Sequence, residues 1–157
     1  MNVNLTCSHS AQQLTLNDIA QAEAIMGIEL PPQFKEFYLR HNGGVPSKAY
    51  VFDDNIEDFI ETSVFSSLRY KLPDSETLEE DYQNLTGRDV LPALYLPFAN
   101  DWGGNLFCLN LSTQQVVFIL MDMGEFTEDC VSIIALSFDT FLDSLVSEAE
   151  AKEDDNS

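Results

Sequence analysis

Apolar side chains recur along this chain with two periods, and the changes between them mark out its elements. From Leu16 the spacing is helical: Ile19, Ala22, Ile25 and Met26 fall on one side of a short amphipathic helix. Thr15 stands three residues before Asp18, the spacing of a capping box, and Gly27 ends the segment. In "ELPPQFKEFYLRHNGG" Pro31 and Pro32 suit a helix start, and Phe34, Phe37, Tyr38 and His41 repeat at i, i+3, i+4 and i+7. Asn42, Gly43 and Gly44 stop this second helix.

The period then changes. "AYVF" and "FIETSVFSSL" are rich in β-branched and aromatic residues and predict strands. Helical spacing returns between Asp74 and Leu85, with Leu78, Tyr82 and Leu85 on one side and Glu79, Glu80 and Asp81 on the other. "LYLPFA", "NLFCLNL", "QVVFILM" and "VSIIALS" follow as a run of strands, the middle two joined by the turn-prone "STQ". Ser137 caps a last helix carrying Phe138, Phe141, Leu142, Leu145 and Val146. Beyond it, "EAEAKEDDNS" has no apolar periodicity and reads as a disordered acidic tail. The expectation is one α+β domain over residues 1–147, a mainly antiparallel sheet with helices packed on it, and a tail over 148–157.

Composition supports a folded chain, because 157 residues that are 45% hydrophobic suffice for one core. Charge changes the picture more. With 27 acidic and 7 basic residues the formal net charge is −20, which repels nucleic acid and anionic membranes and accelerates association with basic partners. The same charge also serves solubility alone, and both readings stand at this point. Cys7, Cys108 and Cys130 are odd in number and show no C-x-x-C spacing, which favours a reducing compartment. The first ten residues lack the pattern of a signal peptide, and no apolar run approaches the ~20 residues of a membrane span. The expected location is the cytoplasm.

Candidate chemistry is sparse. In "ANDWGGNLFCL" the residues Asp101, Gly103, Gly104 and Asn105 predict a tight turn between strands, without the spacing of a phosphate loop. Trp102 either stands out of that turn as an interface anchor or folds back over the sheet. His41 belongs to a helix face, as a packed or capping residue, and His9 lies in an irregular segment. No Ser/His/Asp or Cys/His constellation assembles from local signals, so no enzymatic activity is expected. The group Asp53, Asp54, Glu57, Asp58 and Glu61 lacks the alternating ligands and central glycine of an EF-hand, as does the segment from Asp122 to Asp129. Neither a metal nor another cofactor is expected. Cys108 and Cys130 fit buried, inert thiols.

Three segments together are familiar. "IELPPQFKEFYLRHNGG" (Ile28 to Gly44), "LPFANDWGGNLFCLNL" (Leu96 to Leu111) and "IIALSFDTFLDSL" (Ile133 to Leu145) resemble, in order and spacing, the SUKH superfamily, also called the Smi/Knr family. The shared pattern is an L-P-x-x-aromatic helix ending in N-G-G, a proline-led strand, a glycine-rich turn with an F-C-L-x-L strand, and an S-F-x-x-F helix. With the first helix, the resemblance spans roughly Leu16 to Val146, and the departures lie mainly between Asp53 and Asp89.

The resemblance implies an α+β domain whose bacterial members often serve as immunity proteins, neutralising toxins of contact-dependent and other polymorphic systems. Many of those toxins are nucleases. Fungal members instead act as interaction proteins in cell-wall regulation and signalling, which makes a non-enzymatic signalling or scaffold adaptor the alternative. A nuclease cleft is basic because it attracts polyphosphate, so charge and resemblance converge on a basic toxin domain as partner. The expected partner-binding residues are Asp53, Asp54, Glu57, Asp58 and Glu61, then Glu79, Glu80 and Asp81, with Trp102 as anchor. Asp122, Glu125, Glu128 and Asp129 form a second candidate patch.

Overall fold

A computed structural model describes residues 5–121 and 125–155 of the chain. The described residues form five α-helices and eight strands; four of the helices and the last six strands follow the two periods, although the strand that begins at Asp58 ends at Glu61, where "FIETSVFSSL" predicts one reaching Leu68. A short pair, β1 (Cys7–Ser8) and β2 (Val45–Pro46), brackets α1 (Leu16–Met26) and α2 (Pro32–Arg40). The hairpin β3 (Tyr50–Asp53) and β4 (Asp58–Glu61) comes next, followed by α3 (Leu78–Gly87). An antiparallel sheet of consecutive strands then runs β5 (Tyr95–Asn100), β6 (Leu106–Asn110), β7 (Val116–Ile119) and β8 (Val131–Ala135). α4 (Phe138–Ser144) and α5 (Glu148–Asp155) complete the α+β fold.

Local chemistry sets the helix ends. Thr15 and Asp18 form a reciprocal capping box at α1, and Thr77 and Glu80 repeat it at α3. Gly27 closes α1 at φ 69°, and the Ser137 hydroxyl accepts from the Thr140 amide at the start of α4.

The strands β5, β6 and β7 of the sheet are buried on both faces, while Ile133 of the edge strand β8 is exposed. Leu96, Phe98, Phe107, Leu109, Val116 and Phe118 pack in the main core, while Tyr95, Cys108, Val117 and Ile119 face a second, smaller one. That is why "LFCL" and "VVFI" read as unbroken apolar runs rather than alternating ones. In the main core the Phe98 ring sits edge-on to Phe138 at 5.3 Å and to Phe141 at 5.5 Å, binding β5 to α4. Each such buried ring contributes about 1.5–3 kcal/mol of transfer free energy.

The end of α2 is where distant segments meet. The buried Asn42 side chain donates to the carbonyls of Gln12 and Leu68, both at 2.9 Å, and accepts from the Leu68 amide at 2.8 Å. Gly44 exchanges two backbone bonds with Phe65, and the amides of Ser63 and Ser66 then reach β5 at Asn100 and Phe98. Both glycines have positive φ, 70° at Gly43 and 108° at Gly44. A Cβ on Gly44 would fall on the Ser8 carbonyl oxygen, and one on Gly43 would lie 2.7 Å from that of Phe65.

The chain departs from the sequence reading at its C-terminal end. Glu148–Asp155 is helical where a disordered tail is expected. Ser147 and Glu150 exchange cap bonds, Lys152 pairs with Glu148 at 2.9 Å, and among the described side chains of this helix only Ala151 is buried. One inward residue leaves no periodicity to read.

Gly44→Ala is expected to destabilise the fold well beyond Gly104→Ala. Gly104 also has positive φ, 90°, but open space around it, so its replacement costs only the backbone strain of about 1–3 kcal/mol. Urea unfolding of both variants checks this, and equal losses would contradict the steric account of Gly44.

Candidate functional site

The loop between β5 and β6 is built around one carboxylate. Asp101 accepts from the Gly103 amide at 2.9 Å, the Asn105 amide at 2.8 Å and the Asn105 side-chain amide at 3.1 Å. The Asn105 oxygen in turn accepts from the Met121 amide at 2.9 Å, tying the turn to the chain beyond β7. Trp102, second in this turn, is 71% exposed. Of the two expectations for Trp102, exposure holds: the ring stands in solvent on a backbone that its neighbour fixes.

Trp102 also borders a groove of about 590 Å³. The Ser63–Ser66 segment, the end of β5 and the outer side of α3 form its walls, and its floor includes Leu72, Leu85, Pro97 and Leu106. Ser63 donates its hydroxyl to the Asn100 side chain in one wall. Asp81 and Glu76 supply carboxylates and Arg88 a guanidinium. Burial, then the charges of Glu76 and Glu80, push the Asp81 carboxyl above its ordinary range. Glu76 lies 3.3 Å from the Lys71 ammonium.

The expected acidic residues separate into three structural groups. Asp54 and Glu57 occupy the tip of the β3–β4 hairpin and Asp58 begins β4, all exposed, while Glu61 is half-buried at its end. Asp53 faces inward at 2% exposure, and its carboxylate accepts from the Asn55 amide at 2.9 Å to start the turn. On the outer face of the hairpin, Phe52 and Phe59 are cross-strand partners with rings 5.3 Å apart, and Ile56 at the tip is exposed. Aromatic anchors therefore sit among the hairpin carboxylates.

On α3 the three consecutive acids have different tasks. Glu79 is buried, with its carboxylate accepting from the Arg69 amide at 2.9 Å and lying 3.8 Å from the Arg69 guanidinium. A helix turns successive residues by about 100°, so Glu79 points inward while its neighbours do not. Glu80 is exposed, caps the helix through Thr77 and pairs with Lys71 at 3.6 Å. Hydrogen bonding to the Thr77 amide holds its carboxyl below the usual range. Only Asp81 of the three lines the groove. Asp53 and Glu79, expected in a partner surface, are thus inward-facing and hold the backbone instead.

In the second candidate patch Glu125, Glu128 and Asp129 are exposed, the last two on a 3₁₀ turn over Glu128–Cys130. Asp122 lies outside the described residues. The groove brings Asp81 and Trp102 together across 21 positions of sequence, and Asp54, Glu57 and Asp58 are not among its walls. Glu76, Arg88 and the Phe52–Phe59 pair escape the sequence reading. Treating "DDNIED" as a hairpin turn would have revealed the pair, because it places Phe52 opposite Phe59.

Elsewhere, His41 caps α2 with its ring 5.5 Å from Phe37, and burial, then Arg40, lowers its pKa. Cys108 and Cys130 are buried, and burial pushes the Cys7 thiol up to about 12. Among the described residues, no three His, Cys, Asp or Glu side chains form a metal-holding group. No helix among them is long and apolar enough to cross a membrane.

Two expected outcomes follow for the acids and the indole. Glu79→Ala strands the Arg69 amide and lowers stability by about 1–3 kcal/mol in urea unfolding. An unchanged midpoint would contradict its backbone role. Trp102 emission in the folded chain is that of a hydrated indole, fully open to acrylamide. A blue-shifted, protected emission would contradict the exposed ring.

A comparison with curated proteins gives no match. The model of the SMI1 / KNR4 family (SUKH-1) matches residues 13–144, from the loop before α1 to the end of α4. The match takes in the N-G-G junction, the Asp101 turn and the groove, and the chain belongs to the SMI1 / KNR4 family (SUKH-1).

Proposed function

We propose that this protein is an immunity protein: it binds a basic toxin domain, a nuclease, without covalent chemistry and blocks its action. The observation that carries the reading is Trp102, a large exposed aromatic on a hydrogen-bonded turn beside a groove with carboxylates in its wall. Indoles on fixed turns suit interface anchors, because the backbone is already ordered and the large side chain has only two rotatable bonds to fix on binding. The net charge of −20 supports the choice of partner, since a nuclease cleft attracts polyphosphate and so attracts this surface. Family membership supports a protein partner in general.

The two kinds of surface residue have separate tasks. Asp54, Glu57 and Asp58 on the hairpin draw the partner in through long-range attraction, and Phe52, Ile56 and Trp102 retain it once water is displaced. Tagged protein incubated with lysate of its native organism, at low and moderate salt, is expected to retain one basic toxin fragment. Added back to that fragment, it abolishes nuclease activity at a fixed stoichiometry. Retention of regulatory proteins with no toxin, or a toxin left fully active, would overturn the proposal.

Kinetics of the complex separate steering from anchoring. Asp54→Lys and Asp58→Lys are expected to slow association and flatten its salt dependence, whereas Trp102→Ala speeds dissociation by at least about tenfold. Surface-plasmon measurements with unchanged rates would remove these residues from the interface.

A further inference from the structure

We propose that the groove between Trp102 and α3 seats an arginine or lysine from an extended segment of the protein partner, with an adjacent apolar side chain on the groove floor. This rests on the protein-binding reading above and adds where the partner's chain runs. At about 590 Å³ the groove lies within the ~300–1,000 Å³ of small-ligand and side-chain sites. Its floor is apolar, through Leu72, Leu85, Pro97 and Leu106.

Charge selects the occupant. Asp101 lines the groove too, but its carboxylate already accepts three N–H donors within the turn. Glu76 is paired with Lys71. Asp81 differs from both: it is half-buried, and its carboxylate has no hydrogen bond or ion pair among the described residues. A partly desolvated carboxylate without a partner is unfavourable, and a cation entering the groove relieves it. Consistently, burial and the neighbouring Glu76 and Glu80 raise its pKa.

Trp102 lines the same groove, and an indole attracts a cation over its ring through its quadrupole, so the proposed seat includes it. Arg88 is the one basic residue in the wall. Glu76, Asp81 and Asp101 line the groove with it, so acids outnumber the one base and a phosphate or nucleotide is disfavoured. A second copy of the chain, itself at −20, is disfavoured for the same reason.

Trp102 is the only tryptophan in the chain and reports directly on its own groove. The test titrates the full chain with a blocked peptide of alternating arginine and leucine, at physiological ionic strength, following tryptophan emission. A saturable change is expected, weakened about tenfold by Asp81→Asn and unaltered by Asp54→Asn, which removes the same charge from the hairpin. Asp81→Asn is near-isosteric at a half-buried helix position, and its melting curve confirms that it folds.

No saturable change would overturn the seat. So would equal weakening by both variants, which signals diffuse attraction to net charge. The nuclease assay stands apart from this one: a chain that inhibits its toxin but fails the peptide test keeps its function and loses the seat. A chain that inhibits no toxin loses the immunity reading whatever the peptide does, and the seat then stands or falls on the peptide alone.

Discussion

The side chain of Asn42 turns back into the protein just past the end of α2, where its three hydrogen bonds hold residues 12 and 68 against the helix. The two glycines behind it let three backbones approach more closely than any Cβ would allow. Through the Gly44–Phe65 exchange and the amides of Ser63 and Ser66, this junction extends to β5 and so to the four-stranded sheet. Tyr38 on α2 adds its hydroxyl to the Ser66 carbonyl at 2.8 Å. The groove wall at Ser63–Ser66 and the loop that carries Trp102 are therefore placed by the same close packing. A buried network of this kind tolerates few partial losses, because each missing partner leaves a desolvated donor or acceptor.

An excess of acid that large opposes compactness, and the fold answers it partly by giving carboxylates backbone work. Asp18 and Glu80 cap helices, Asp101 closes the turn under Trp102, Asp53 starts the hairpin tip, and Glu79 holds the Arg69 amide. For Asp18, Asp53 and Asp101 amide donors satisfy the carboxylate without an ion pair, whereas Glu79 and Glu80 also lie near Arg69 and Lys71. Carboxylates such as Asp54, Glu57 and Asp58 stay on the surface, where they repel one another and attract cationic groups. Backbone-binding and exposed acids are thus interleaved in sequence and separated by orientation.

That interleaving explains what could be read in advance. The helices α1, α2 and α4 announced themselves through caps and stripes: Thr15 with Asp18, Pro31 and Pro32, Ser137 with the Phe138 face. The sheet was legible because strands covered on both sides are apolar throughout. Glu79 and Glu80 were indistinguishable as letters, since inward or outward direction depends on where Arg69 lies, ten residues earlier. The groove was hidden for a related reason: Ser63, Glu76, Asp81 and Trp102 come from separate segments and meet only in the folded chain. Exposure of Trp102 needed the Asp101 hydrogen bonds to decide it.

The proposed function assigns this chain a surface that attracts its partner from afar and grips it through a few aromatic contacts, a reading that the family match, the net charge and the exposed Trp102 support. These two actions depend differently on salt, because screening weakens long-range attraction far more than desolvated contacts. The most direct measurement is the stopped-flow rate of association and of dissociation with the cognate basic domain across a range of ionic strength. The account predicts an association rate that falls steeply with salt while dissociation changes little; a salt-independent association rate would contradict it.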